Sequence, residues 1–197
     1  VQEGHLDLDE TIDHYIAGYA NTTITIRHLL DHQSGISHYS DCPGGYSGEW
    51  NAAESIEVVQ GCAMCVTPPG AGTWYTTFGT TLLGAIIEAV GLDEYGQGFI
   101  SLYNEWIKNP GNLTSLVPAF DNSDPNLAQG HDEDGDPDPG YWDDIGWKLP
   151  AGGFISNIND FAKFGVGVME YTFLDSIHSN MMWVTQSSNG GANVQCD

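Results

Sequence analysis

The stretch GTWYTTFGTTLLGAIIEAVG, residues 72–91, constrains the fold more than any other part of the chain. Its apolar positions Phe78, Leu82, Leu83, Ile86, Ile87 and Val90 recur at helical spacing, which predicts a helix over residues 78–90. Upstream, Pro68-Pro69-Gly70-Ala71-Gly72 breaks the chain sharply. Downstream, Gly91 stands where a left-handed cap is wanted. Between break and helix lie Tyr75-Thr76-Thr77. A lone tyrosine there is ordinarily an aromatic packed on the start of the helix.

The remaining pattern is helix-rich with few strong strands. Residues 5–19 alternate apolar and acidic side chains and then turn helical, with Ile12, Tyr15 and Ile16 on one face. Residues 23–36 begin β-branched, continue through Leu29 and Leu30, and close at the Ser34-Gly35 turn signal. A short helix is expected within residues 52–64, and another over residues 93–107, ended by Asn109-Pro110-Gly111. Residues 121–144 read as a long polar loop. Residues 151–171 read as a glycine turn followed by a helix with Ser156 as N-cap and Phe161 and Phe164 on its buried side.

A chain of 197 residues is long enough for one domain with a real core. Its 27 acidic against four basic side chains, net −23, leave too little positive surface for phosphate backbones or anionic membranes, which argues against nucleic acid as a partner. No apolar run is long enough to span a bilayer. The sequence opens at Val1 without a methionine or a basic-then-apolar leader, so a processed or partial chain is expected. Four cysteines (Cys42, Cys62, Cys65, Cys196) and the sequons at Asn21 and Asn112 suggest a secreted, extracellular protein with disulfides. The spacing of Cys62 and Cys65 also occurs in redox and zinc motifs, but no second such pair follows; four cysteines allow three connectivities.

Asp132, Asp134, Asp136 and Asp138 around Gly135 carry the hard oxygen ligands that calcium takes. The spacing is not that of an EF-hand, and in so acidic a chain a solvated loop is the preferred reading. Trp142 and Trp147 flank this loop and are candidates for a cleft wall. No cofactor motif is present.

Four phrases in collinear order carry a resemblance over nearly the whole chain: EGHLDLDETIDHYI, ITIRHLLDHQSGI, PPGAGTWYTTFGTTLLGAIIEAVG and AGGFISNINDFAKFG. Together they resemble the serine β-lactamase and D-Ala-D-Ala carboxypeptidase superfamily, in its class C and esterase-like branch. The resemblance implies an α+β fold in which a sheet flanked by helices joins a helical lobe, with the site between them. It implies acyl transfer through a serine ester, by a Ser-x-x-Lys pair, a Tyr-x-Asn and a late Lys/His-x-Gly strand. Tyr75 falls on the family tyrosine, a candidate general base. Thr77 falls on the family asparagine and offers one hydroxyl in place of an amide.

None of Lys108, Lys148 and Lys163 has a serine three positions earlier, so no Ser-x-x-Lys occurs in these residues. The resemblance places that motif before the first phrase and the Lys/His-x-Gly strand after the last. The chain is thus expected to be a partial domain, mostly helical lobe, completed by further segments of the same polypeptide or by a partner chain. Two functions follow. One is a serine hydrolase acting on an ester, amide or β-lactam-like bond. The other is a non-catalytic structural or binding protein on the same fold, assembling with copies of itself. His32 and Ser34, in DHQSGI, are read as structural.

Overall fold

A computed structural model describes residues 1–42, 48–119, 126–137, 146–184 and 186 of the chain. The helix expected over residues 78–90 lies at its centre and outruns its apolar stretch: α4 spans Thr77–Tyr95. The Thr76 hydroxyl accepts a hydrogen bond from the Gly79 N–H and caps the first turn. Gly91 does not end the helix. It is pressed against α5 (Phe99–Tyr103), where an added Cβ would lie 2.4 Å from Leu102 Cδ1. The left-handed cap falls instead at Gly96, with φ 67°. The helix expected over residues 93–107 is therefore divided. Its first residues finish α4, and α5 runs on into a wider π-helical turn, Asn104–Lys108. Glu88 fixes this return: its carboxylate accepts from the Phe99 N–H at 3.1 Å and from Trp50 Nε1 at 3.2 Å.

Five short elements pack around α4: α1 (Ile12–Tyr15), α2 (Ile26–Leu30), α3 (Ala52–Gly61), α5 and α6 (Leu149–Gly152). Leu82, Ala85 and Ile86 are fully buried there. Leu82 and Ile86 meet Ile12, Ile24, Ile26, Leu29, Ile36 and Trp147 in one core. Each such aliphatic side chain contributes about 1.5–3 kcal/mol when removed from water, so the core depends on a handful of residues drawn from separate segments. The expected face of residues 5–19 holds in Ile12 and Ile16, both buried, although only four residues are helical. Leu29 is buried and Leu30 is exposed. Where α6 crosses α4, a Cβ on Gly84 would sit 2.1 Å from Pro150 Cγ, so only glycine permits the approach.

β1 (Val117–Pro118) and β2 (Phe154–Ile155) form an antiparallel pair, Val117 opposite Ile155. With the helices this is the α+β content that was expected. Residues 151–153 are not a free glycine turn, because α6 already occupies Leu149–Gly152, with Pro150 preset for its first turn. In α7 (Ile158–Met169) the N-cap is Asn157 and not Ser156: Asn157 Oδ1 accepts from the Asp160 N–H at 2.9 Å. Asp160 turns inward, accepting from the Ser115 N–H and hydroxyl and pairing with Lys163. That sets the rotation of α7 and carries Phe161 outward, 64% exposed rather than buried. Phe164 is half-buried and stacks on Phe173. Ile158, Phe161 and Met169, with Ile177 on α8 (Ser176–Met181), leave large apolar side chains exposed.

A disulfide joins Cys42 to Cys62 across a sequence separation of 20, and Cys65 is disulfide-bonded separately, so the closely spaced cysteines do not pair with each other. No helix is long and apolar enough to cross a membrane among the described residues.

Candidate functional site

Tyr75 is delivered to the surface by two segments laid side by side. The Gly35 carbonyl accepts from the N–H groups of Cys65 and Val66, Gln33 O from the Gly70 N–H, and His32 O from the Trp74 N–H at 2.8 Å. Gly35 has φ 74°, and a Cβ there would meet Val66 O at 2.0 Å, so the contact requires glycine. Thr76 completes the join, donating its hydroxyl to Ser37 O at 2.8 Å. The phrases DHQSGI and GTWYTT, remote in sequence, thus become one wall. His32 and Ser34 serve that wall: His32 Nδ1 accepts from the Thr76 N–H at 3.4 Å, and Ser34 is fully buried.

On the wall Tyr75 is 63% exposed. Its ring lies between His32, at 4.7 Å between centroids, and His38, at 6.0 Å. Thr77 is nearly buried, its Oγ1 3.0 Å from His38 Nε2. The Ser40 N–H points at His38 Nδ1, at 3.4 Å, which makes that nitrogen the acceptor and assigns the ring proton to Nε2. Nε2–H then donates to Thr77 Oγ1 and leaves the threonine's own proton available. Burial holds both His32 and His38 below the ordinary imidazole value; for His38 the nearby Lys148 charge adds to this and Asp41 opposes it. Both rings are therefore neutral at neutral pH.

Beyond His38 an aromatic strip continues. Tyr39 lies 4.1 Å from His38 and 5.5 Å from Trp147, and Phe78 lies 5.8 Å from Trp147. Lys148 Nζ stands 5.2 Å over the Tyr39 ring. The structure therefore brings Tyr75 and Thr77 to one corner and adds His38, Tyr39 and Lys148. Their signals in the sequence were slight: a His-Tyr pair just after the SGI turn, and one of only four cations. The corner thus sets an exposed phenol beside two imidazoles. Ser34 and Ser37 are both buried, so neither is presented as a nucleophile.

The acidic loop lies apart from this arrangement in the hydrogen-bond pattern. Asp132 Oδ1 accepts from the Asp134 and Asp136 N–H groups, at 3.0 and 2.9 Å, closing its own turn at Gly135. Asp138 and Trp142 fall outside the described residues. Among the described residues no group of three or more His, Cys, Asp or Glu side chains is placed to hold a metal ion.

Residues 1–194 match the model of the family described as Beta-lactamase. The fold is similar to that of a D-stereospecific amidohydrolase from Streptomyces sp., at 22% identity and TM-score 0.75, covering 94% of this chain and 60% of that one. It is similar to a penicillin binding protein from Bacillus halodurans, at 21% identity and TM-score 0.73, covering 94% of this chain and 59% of that one. It is similar as well to the D-amino acid amidase from Ochrobactrum anthropi SV3, at 23% identity and TM-score 0.71, covering 90% and 54%. The chain thus spans less than two thirds of the length of each of these structures. No curated protein matches significantly.

Proposed function

This chain belongs to the beta-lactamase family, and from that membership we propose that the Tyr75 corner is one wall of a serine-hydrolase acyl-transfer site. Tyr75 acts there as general base, taking the proton of a serine hydroxyl as it attacks an ester, amide or β-lactam-like carbonyl. The serine and its lysine are not among these residues; further segments of the same polypeptide, or a partner chain, supply them. Such segments also cover the apolar side chains left open on α7 and α8. The disulfides accord with an extracellular setting.

The observation that carries the reading is the exposure of Tyr75. A tyrosine that merely packed on a helix start would be covered, whereas this one presents a ring 63% exposed between two imidazoles. Thr77 favours a second reading, a non-catalytic structural or binding protein, self-assembling through the open face. Its hydroxyl is nearly buried and engaged by His38, where the family's asparagine would offer a free amide.

Incubating the full natural polypeptide with a fluorophosphonate probe and mapping the adduct by mass spectrometry separates the two. The first reading expects one labelled serine, followed three residues later by lysine, and a Tyr75→Phe variant labelled about a hundredfold or more slowly. An unlabelled protein whose peptides contain no Ser-x-x-Lys would establish the second.

A further inference from the structure

Two of the four cations, Lys108 and Lys148, stand in no ion pair with a described carboxylate, and of these Lys148 lies over aromatic rings near Tyr75's corner. With 27 acidic and four basic side chains, most cations should find a carboxylate, and Arg27 lies 2.7 Å from Asp9 as Lys163 does from Asp160. Lys148 makes no such pair with a described carboxylate. Its ammonium is held over two rings instead, 5.2 Å from the Tyr39 centroid and 5.8 Å from that of Trp147. An ammonium over an aromatic face is attracted by the ring's quadrupole rather than by a carboxylate. The start of α4, at Thr77, adds the partial positive charge of a 19-residue helix to the same corner. Across a surface of net charge −23, this is a local positive spot joined to Tyr75 through two intervening rings, Tyr39 and His38.

We propose that Lys148 is a specificity-determining residue: it takes the carboxylate of an anionic acyl substrate, whose apolar part lies along the exposed Tyr39 ring and the His38 ring with its reacting carbonyl towards Tyr75. This rests on reading the Tyr75 corner as an acyl-transfer site. Without Lys148 the net charge of the protein would repel such a substrate; with it, carboxylate-bearing esters are favoured over neutral ones of the same size.

The test uses the full polypeptide and two esters of similar size, mono-p-nitrophenyl succinate and p-nitrophenyl butyrate. The expected kcat/KM is about five- to tenfold higher for the succinate, as one charge-assisted contact at a partly exposed site supplies. Lys148→Met, which keeps the aliphatic stem on the rings, should erase that preference through KM, and Lys148→Arg should restore most of it. An unchanged ratio in Lys148→Met would overturn the proposal. If neither ester is hydrolysed, the acyl-transfer reading fails on its own, and glutarate and 1,5-pentanediol are titrated against the same proteins by tryptophan fluorescence. Glutarate binding that Lys148→Met abolishes upholds the carboxylate site. Equal response to both compounds, or none, removes it.

Discussion

Substituting Gly84 by alanine tests the packing that carries α6, and with it Trp147 and Lys148, to the site. Two effects oppose. Alanine in a helix interior is favoured over glycine by about 0.8–1.0 kcal/mol. Against this, the new Cβ would lie 2.1 Å from Pro150 Cγ and 2.4 Å from Pro150 Cβ. A normal carbon contact needs about 3.5 Å, so Pro150 must withdraw by about 1.4 Å. It is not free to do so: Gly153 N–H is bonded to Leu149 O, and Gly153 O accepts from the Ala119 N–H at 2.7 Å, tying α6 to the β1–β2 pair. Overpacking of this kind costs about 1–3 kcal/mol. A clash this deep against a tethered proline belongs in the upper half of that range, about 2–3 kcal/mol. The net expectation is therefore a loss of about 1–2 kcal/mol, or a fall in Tm of about 2–8 °C for a chain of this length. Urea unfolding followed by circular dichroism and tryptophan fluorescence measures it. Combining the change with Pro150→Ala should recover part of the loss, because the Cγ contact goes and the Cβ contact stays. A Gly84→Ala protein as stable as the parent would refute the close approach of α4 and α6.

Replacing Cys42 and Cys62 by serine should lower stability by about 3 kcal/mol in urea unfolding, the loop-closure contribution for a separation of 20 residues. Acidification should weaken the fold below about pH 6.5, where an unfolded histidine binds its proton. His32 and His38 resist protonation when folded, so the unfolded chain takes up protons first and stability falls until pH passes their lowered values. His38→Gln should flatten that slope, and NMR titration should find the His38 imidazole below its ordinary value. Asp160 has the same sign in a more acidic window: Lys163 and the two Ser115 donors hold its carboxyl well below the usual carboxylate range. Its contribution is complete above about pH 3.8 and is lost as pH falls towards the folded value, so Asp160→Asn should destabilise the protein at neutral pH and melt less steeply with acid.

Much of the core was legible because helical spacing survives translation into structure. Phe78, Leu82 and Ile86 recur at that spacing and are buried, and Ile12 and Ile16 behave likewise. The failures share a cause. Phe161 belongs to an apolar pattern as convincing as any other, yet α7 is rotated by the bonds that Asp160 makes to Ser115, a partner 45 residues away. Gly91 has the identity of a cap, but Leu102, arriving from the next helix, holds it inside α4. Local propensity could not weigh either contact.

The same division runs through the candidate site. The amino-acid sequence by itself determined the family, the α+β class, the acidity, and Tyr75 and Thr77 as the residues to watch, because motifs and composition are properties of order along the chain. Only the tertiary structure decided that Tyr75 is exposed, that Thr77 is bonded to His38, and that Lys148 lies over Tyr39 without a described carboxylate. Those facts depend on distances between segments from 39 to more than 100 residues apart, and such distances are set by packing around α4, which no local pattern encodes.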